Sequence, residues 1–241
     1  MRVFERQASN KFNQALSIQP NQVAALIGAV KASTSEGQYK AAKHNLYRLK
    51  ILAPGTIAAL VLEAQFYSDL YLHEQAVTLF NKILQIEPDN YDAQIGLAKS
   101  YLQNNQFVHF QDQIDAFSSL SSPTVEQIQL QLIGLFKQRD FANLLSSLSS
   151  MKQTNPDLLA NKQVDLLTRL STWLVEPIKY SRELASISKT LEANATESKL
   201  DIQTLDLLLV IFEQTGNTER TINIEKQRKK RIEQRQLFKF S

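Results

Sequence analysis

Between Ile57 and Asn90, apolar residues recur at intervals of three and four. One run passes through Leu60, Ala64 and Tyr67, and a second through Ala76, Phe80, Ile83 and Leu84. That spacing lines one face of an α-helix. A short polar break separates the runs, and Pro88-Asp89-Asn90 closes the second. Proline lacks an amide proton and clashes with a preceding helical turn, so it stops the helix there. The stretch predicts helix, tight turn, helix, turn.

The pattern repeats on a step of about 34 residues. Ala76 maps back to Ala42 and Ala8, Phe80 to Leu46 and Phe12, and Ile83 to Leu49 and Ala15. Forward, Tyr67 maps to Tyr101 and Leu135. The internal turn recurs as Glu36-Gly37-Gln38-Tyr39, Asn104-Asn105-Gln106-Phe107 and Gln138-Arg139-Asp140-Phe141, each ending on an aromatic residue. Pro20, Pro54 and Pro88 keep the period. Pro156 lies two steps further on, and the step between lands on Ser122, beside Pro123. Four units in phase follow: 23–56, 57–90, 91–124 and 125–158. Residues 1–22 match only the second helix of an incomplete N-terminal unit, which suggests an excised fragment with repeats upstream. The other reading is a lone capping helix.

Past Asp157 the phase is lost, and residues 159–241 read as degenerate helix pairs. One helix is expected from Leu158 to about Leu174, broken at Glu176-Pro177, and another from Ile178 to about Ala193. Asn194 to Ser198 reads as a polar link. A strongly apolar helix follows from Asp201 to Gln214, then a turn at Gly216-Asn217 and a basic last helix from about Thr218.

Period, small positions, aromatics and terminal prolines together resemble the tetratricopeptide repeat family over roughly residues 1 to 158. The resemblance implies an all-α fold, a right-handed superhelical solenoid of stacked antiparallel helix pairs. Neither pair buries its apolar face alone, so stacking is required. There are departures. The early tryptophan of the family is Leu26, Leu60, Gln94 and Ile128 here, and the glycine usual in the first helix is Val30, Ala64, Ala98 and Leu132. The small position of the second helix becomes Phe110 in the third unit and Leu144 in the fourth, which predicts looser packing or a changed inter-helix angle.

By position, the resemblance puts Ile27, Lys31, Val61, Gln65, Ile95, Lys99, Gln129 and Ile133 on a concave groove that takes a peptide or helix of a partner protein. Asparagine is absent from these positions, so the Lys/Asn/Arg set with which some members hold a chaperone's C-terminal carboxylate is disfavoured. The bland alternative leaves the groove without a ligand or filled by the chain's own C-terminal helix.

Composition sharpens this picture by exclusion. Gly and Pro number only 6 each, which suits helices. No cysteine is present, so disulfides, thiol catalysis and thiolate metal sites are ruled out. No signal-like segment or spanning apolar run is seen; the longest, Leu207 to Phe212, is short. The three histidines fall in different units without metal-ligand spacing. No phosphate loop, serine elbow or paired carboxylates stand out, and Thr124 with Gln127 fits a capping box. The chain therefore reads as a non-enzyme, with no cofactor, metal or small-molecule substrate expected.

Charge is nearly balanced at +3, except in the last helix. Glu219 to Lys239 carries eight Lys or Arg against three Glu, with Lys226, Arg228, Lys229, Lys230 and Arg231 as the dense block. A solvated cap is the favoured reading. Contact with nucleic acid, anionic lipid or an acidic protein is the weaker one. The expectation is a protein-interaction scaffold, with a bacterial assembly or export system as a candidate setting. The alternative is the repeat region of a longer enzyme or regulator whose catalytic domain lies outside this chain.

Overall fold

In the computed structural model, residues 2–118, 123–154, 161–197 and 202–240 are described, and every element among them is an α-helix. In chain order these are α1 (Arg2–Ile18), α2 (Val23–Ser35), α3 (Tyr39–Leu52), α4 (Ile57–Asp69), α5 (His73–Ile86), α6 (Tyr91–Gln103) and α7 (Phe107–Ser118). They continue as α8 (Val125–Lys137), α9 (Phe141–Thr154), α10 (Lys162–Val175), α11 (Ser181–Glu197), α12 (Ile202–Gln214) and α13 (Thr218–Gln236). The architecture is an all-α helical solenoid. First helices begin at Val23, Ile57, Tyr91 and Val125, and second helices at Tyr39, His73, Phe107 and Phe141, at one constant interval. Pro20, Pro54 and Pro88 lie in the turns after α1, α3 and α5, while Ser122 and Pro156 fall outside the described residues.

One backbone device makes the turn within each pair. The residues at the tip, Gly37, Tyr71, Asn105 and Arg139, all have positive φ, from 55° to 72°. Around each runs the same pair of bonds. In the first turn Gln38 N–H donates to Ser33 O and Gly37 N–H to Thr34 O; in the second, Leu72 donates to Tyr67 and Tyr71 to Ser68. This is a Schellman closure, which satisfies the last carbonyls of the first helix and needs one left-handed residue. Glycine adopts that conformation freely, whereas a bulky side chain costs about 1–2 kcal/mol. Gly216 forms a fifth closure between α12 and α13.

The helices group into two compact units: residues 1–113 with 232–241, and residues 114–231. In the first unit α2 pairs with α3 and α4 with α5, and the first helices α2, α4 and α6 stack on one another. Its interior includes Ala42, Leu46, Ala64, Phe66, Ala76, Phe80, Ala98 and Phe110, all essentially inaccessible. Gly96 and Gly28 are where aromatic side chains enter: a Cβ on Gly96 would stand 2.2 Å from the Phe80 ring, and one on Gly28 2.3 Å from Phe12. Side chains also bond across first helices. Ser100 Oγ donates to Ser68 Oγ, and Ser68 Oγ to Gln103 Oε1, each over 3.2 Å.

The second unit is built around Leu132, Phe136, Phe141, Leu144, Leu167, Leu208 and Ile211. Phe136 and Phe141 meet edge to face at 5.6 Å. The Thr124–Gln127 capping box forms, with both reciprocal bonds made. Leu144, at the small position, is fully buried, and α8 and α9 meet more sparsely over the described residues than α2 and α3 do.

The C-terminal boundaries differ from expectation. α10 starts at Lys162, because Asn161 caps it by accepting from Gln163 N and Val164 N. α11 starts at Ser181, since residues 177–180 turn after Glu176, and it runs on to Glu197 through the expected polar link. Alanine and glutamate in Ala193, Ala195 and Glu197 are good helix formers and outweigh the polar character of that stretch.

Candidate partner-binding face

The predicted groove residues of the first unit lie on α2, α4 and α6, but they do not share one environment. Lys31 and Lys99 are exposed, and Ile27 and Gln65 are half-buried. Val61 and Ile95 are only 5% and 4% exposed, so they serve the interior. In the second unit, Gln129 and Ile133 on α8 are half-buried, and Ile133 packs against the core.

The predicted basic block also divides. Arg228 turns inward, its Nε donating to Asp206 Oδ1 over 2.5 Å, and Lys137 Nζ stands 3.6 Å from the other oxygen of the same carboxylate. Burial lowers the Lys137 pKa from its ordinary value; Asp206 opposes that and Arg228 adds to it. Lys226, Lys229 and Lys230 face solvent, and Arg231 is half-buried. His44 is exposed, His73 packs its ring on Tyr71 at 5.4 Å, and His109 stacks on Tyr101 at 5.2 Å. No cluster able to hold a metal ion is found among the described residues.

A different set of side chains in the first unit converges on residues 235–240. The last turn of α13 brings Arg235 and Gln236 against the turn after α4. Arg235 donates to Asp69 O over 3.1 Å, and Gln236 Nε2 to Tyr71 O over 3.1 Å. The Arg235 guanidinium also lies over the Tyr39 and Tyr71 rings, 5.5 Å from each centroid. Beyond the helix, Phe238 packs on Tyr39 at 5.9 Å. Phe240 then meets Phe66 at 5.8 Å and Tyr67 at 6.2 Å. Lys43 and Lys50 on α3 hold their ammonium groups 5.2 and 5.3 Å from the centre of the Phe240 ring. Lys43 Nζ also donates to Lys239 O over 2.7 Å.

The electrostatics follow from this enclosure. Burial raises the Tyr39 hydroxyl to about 12, opposed by Arg235. Tyr67 is raised as well, by burial first and then by the charge and hydrogen bond of Glu63, which in turn pairs with Lys50. Asp69 is pushed up to about 6 by burial, and Arg235 and Lys99 partly offset the rise. Lys99 is thus the predicted groove residue nearest in effect to this face.

Sequence reasoning assigned the contact to the first helices and passed over α3 and the α4–α5 turn. Two signals pointed to the face. Tyr71 occupies a turn slot filled elsewhere by Gly37, Asn105 and Arg139, and two phenylalanines follow the basic helix. A separate cavity of about 580 Å³ lies in the second unit, lined by Pro177, Ile178, Leu184, Ile211 and Phe212. Its wall mixes these with polar side chains such as Ser181, Ser188 and Asn217, and Arg220 is its one charged wall residue.

No helix among the described residues is long and apolar enough to cross a membrane. Residues 72–115 match the family model described as Tetratricopeptide repeat. Among solved structures, a tetratricopeptide repeat protein from Parabacteroides merdae ATCC 43184 is similar, with a TM-score of 0.62 and 16% identity. The match covers 70% of this chain and 65% of that one, so this chain spans less than two thirds of its length. The P58(IPK) TPR domain is more distant, with a TM-score of 0.37 and 13% identity over 93% of this chain and 78% of that one. No curated protein matches the chain significantly.

Proposed function

From a chain that carries tetratricopeptide repeats, we infer a protein-interaction scaffold whose first unit binds a peptide or helix of a partner protein. Such repeats generally mediate protein–protein interaction. The supporting observation is that the first unit holds a short non-helical segment, turning off the end of α13, against its own surface. Residues 238–240 lie outside any helix, yet two of their side chains pack on aromatic rings and one of their carbonyls is bonded by a lysine. A surface that grips such a segment has the means to grip another: apolar pockets for side chains and donors for backbone oxygens.

Lys31, Gln65 and Lys99, one on each of the successive first helices α2, α4 and α6, favour a mildly acidic or carbonyl-rich partner in this reading. The test is capture of partners by the full chain and by the Lys31→Glu, Lys99→Glu double variant. Recovery should fall at least severalfold in the variant. Equal recovery by the two proteins removes these lysines from the binding surface.

A further inference from the structure

We propose that the face built by α3 and the end of α4 is a peptide site selective for the pattern Arg-x-x-Phe-x-Phe. Residues 235–240, Arg-Gln-Leu-Phe-Lys-Phe, are its resident occupant, and a partner segment of the same chemistry displaces them. This rests on the scaffold reading and gives it a ligand class.

Each letter of the pattern has its own receptor. The arginine needs a carbonyl, a carboxylate and aromatic faces at once, and finds Asp69 O, the field of the Asp69 carboxylate, Tyr39 and Tyr71. Lysine could supply the charge but not the planar stacking. The first phenylalanine rests on Tyr39. The second sits on Phe66 and Tyr67 with two ammonium groups by its ring, an arrangement that rewards an electron-rich aromatic over leucine. Lys43 also bonds the backbone oxygen between the two phenylalanines, and Phe238 N–H and Lys239 N–H bond back to Arg235 O and Gln236 O, so a turn sets the spacing from the arginine to the first phenylalanine.

The turn between α4 and α5 supplies part of the receptor. Tyr71 holds φ at 60° in a turn that glycine makes without strain. That conformation presents its ring to Arg235 and its carbonyl to Gln236. The occupant is only partly enclosed: Phe238 and Phe240 are half-buried, and Leu237 between the anchors is 80% exposed. A few side chains therefore carry the docking, and a competing segment needs to replace only those.

The test uses the full chain and a fluorescein-labelled peptide of residues 232–241. A tethered occupant competes at an effective concentration of order millimolar. The Phe238→Ala, Phe240→Ala chain, with its resident anchors removed, should bind the peptide at least about tenfold more tightly than the wild-type chain. A chain ending at residue 236 gives a second route to an emptied site and should behave alike. Lys43→Glu with Lys50→Glu in the emptied chain should weaken the peptide several-fold, and a peptide with both phenylalanines changed to alanine should not bind. Equal affinity for wild-type and emptied chains, or no binding to either emptied chain, overturns the proposal. The two readings fail separately. Partner capture that depends on Lys31 and Lys99 without peptide binding overturns only this inference. Peptide binding with capture indifferent to those lysines overturns only the first-helix groove.

Discussion

Replacing Gly96 by alanine is the sharpest test of how the repeats stack. An ideal Cβ at this position lies 2.2 Å from the Phe80 Cζ and 2.4 Å from its Cε1. Ordinary carbon contacts stand at about 3.5–4.0 Å, so the ring must withdraw by more than about 1 Å. Phe80 is fully buried, and overpacking of this kind costs about 1–3 kcal/mol. Alanine returns about 0.5–1 kcal/mol through helix propensity. The net expectation is a loss of about 1–2 kcal/mol, read by urea titration followed by circular dichroism. Phe80→Leu should cost stability alone but recover part of it in the Gly96→Ala background, giving a coupling energy of about 1 kcal/mol or more. The chain itself uses that solution one unit earlier, where Leu46 and Leu62 occupy the corresponding positions. A stabilised Gly96→Ala protein, as for an unpacked helical glycine, would refute the reasoning.

Three further outcomes follow from the sites described. Asp69 has a folded pKa near 6, above its ordinary 3.8, so its contribution is present below about pH 4 and is lost as pH rises through 6. Asp69→Asn should therefore gain on the wild type between pH 4 and 7, by up to about 3 kcal/mol before discounting for solvent access, in paired thermal melts. Tyr71→Asn should relieve about 1 kcal/mol of backbone strain yet loosen residues 235–240, seen as faster tryptic cleavage after Arg235. Arg228→Met should destabilise the second unit by about 1–3 kcal/mol, because it leaves Asp206 with Lys137 alone, and Asp206→Asn in the same chain should recover part of that loss.

The helix boundaries were legible because the period acts on every level at once. Prolines stop the second helices, small residues sit at Ala42 and Ala76, and turns return at Gly37, Asn105 and Arg139. The packing glycines were harder to see. Gly28 and Gly96 lie two residues before the slot where the family places glycine, and they become intelligible only when paired with Phe12 and Phe80. The site was the least legible part. Val61 and Ile95 stand four residues before Gln65 and Lys99 on the same helical face but are buried where Lys99 is exposed, a difference that one helical face cannot report. Residues 235–240 carry no period at all, and their contact with α3 and α4 spans some 170–200 positions of sequence, as in the bond from Lys43 to Lys239 with its separation of 196. In the sequence Arg228 reads as one more surface cation, because nothing local marks Asp206, 22 residues earlier, as its partner.

The central claim is that the first unit holds residues 235–240 on its surface. A chain without cysteine allows one nitroxide label to be placed at Leu237→Cys, an exposed position between the anchors. The label should be slow and restricted in the otherwise wild-type protein and fast once Phe238 and Phe240 are changed to alanine. Equal, fast motion in both proteins would contradict it.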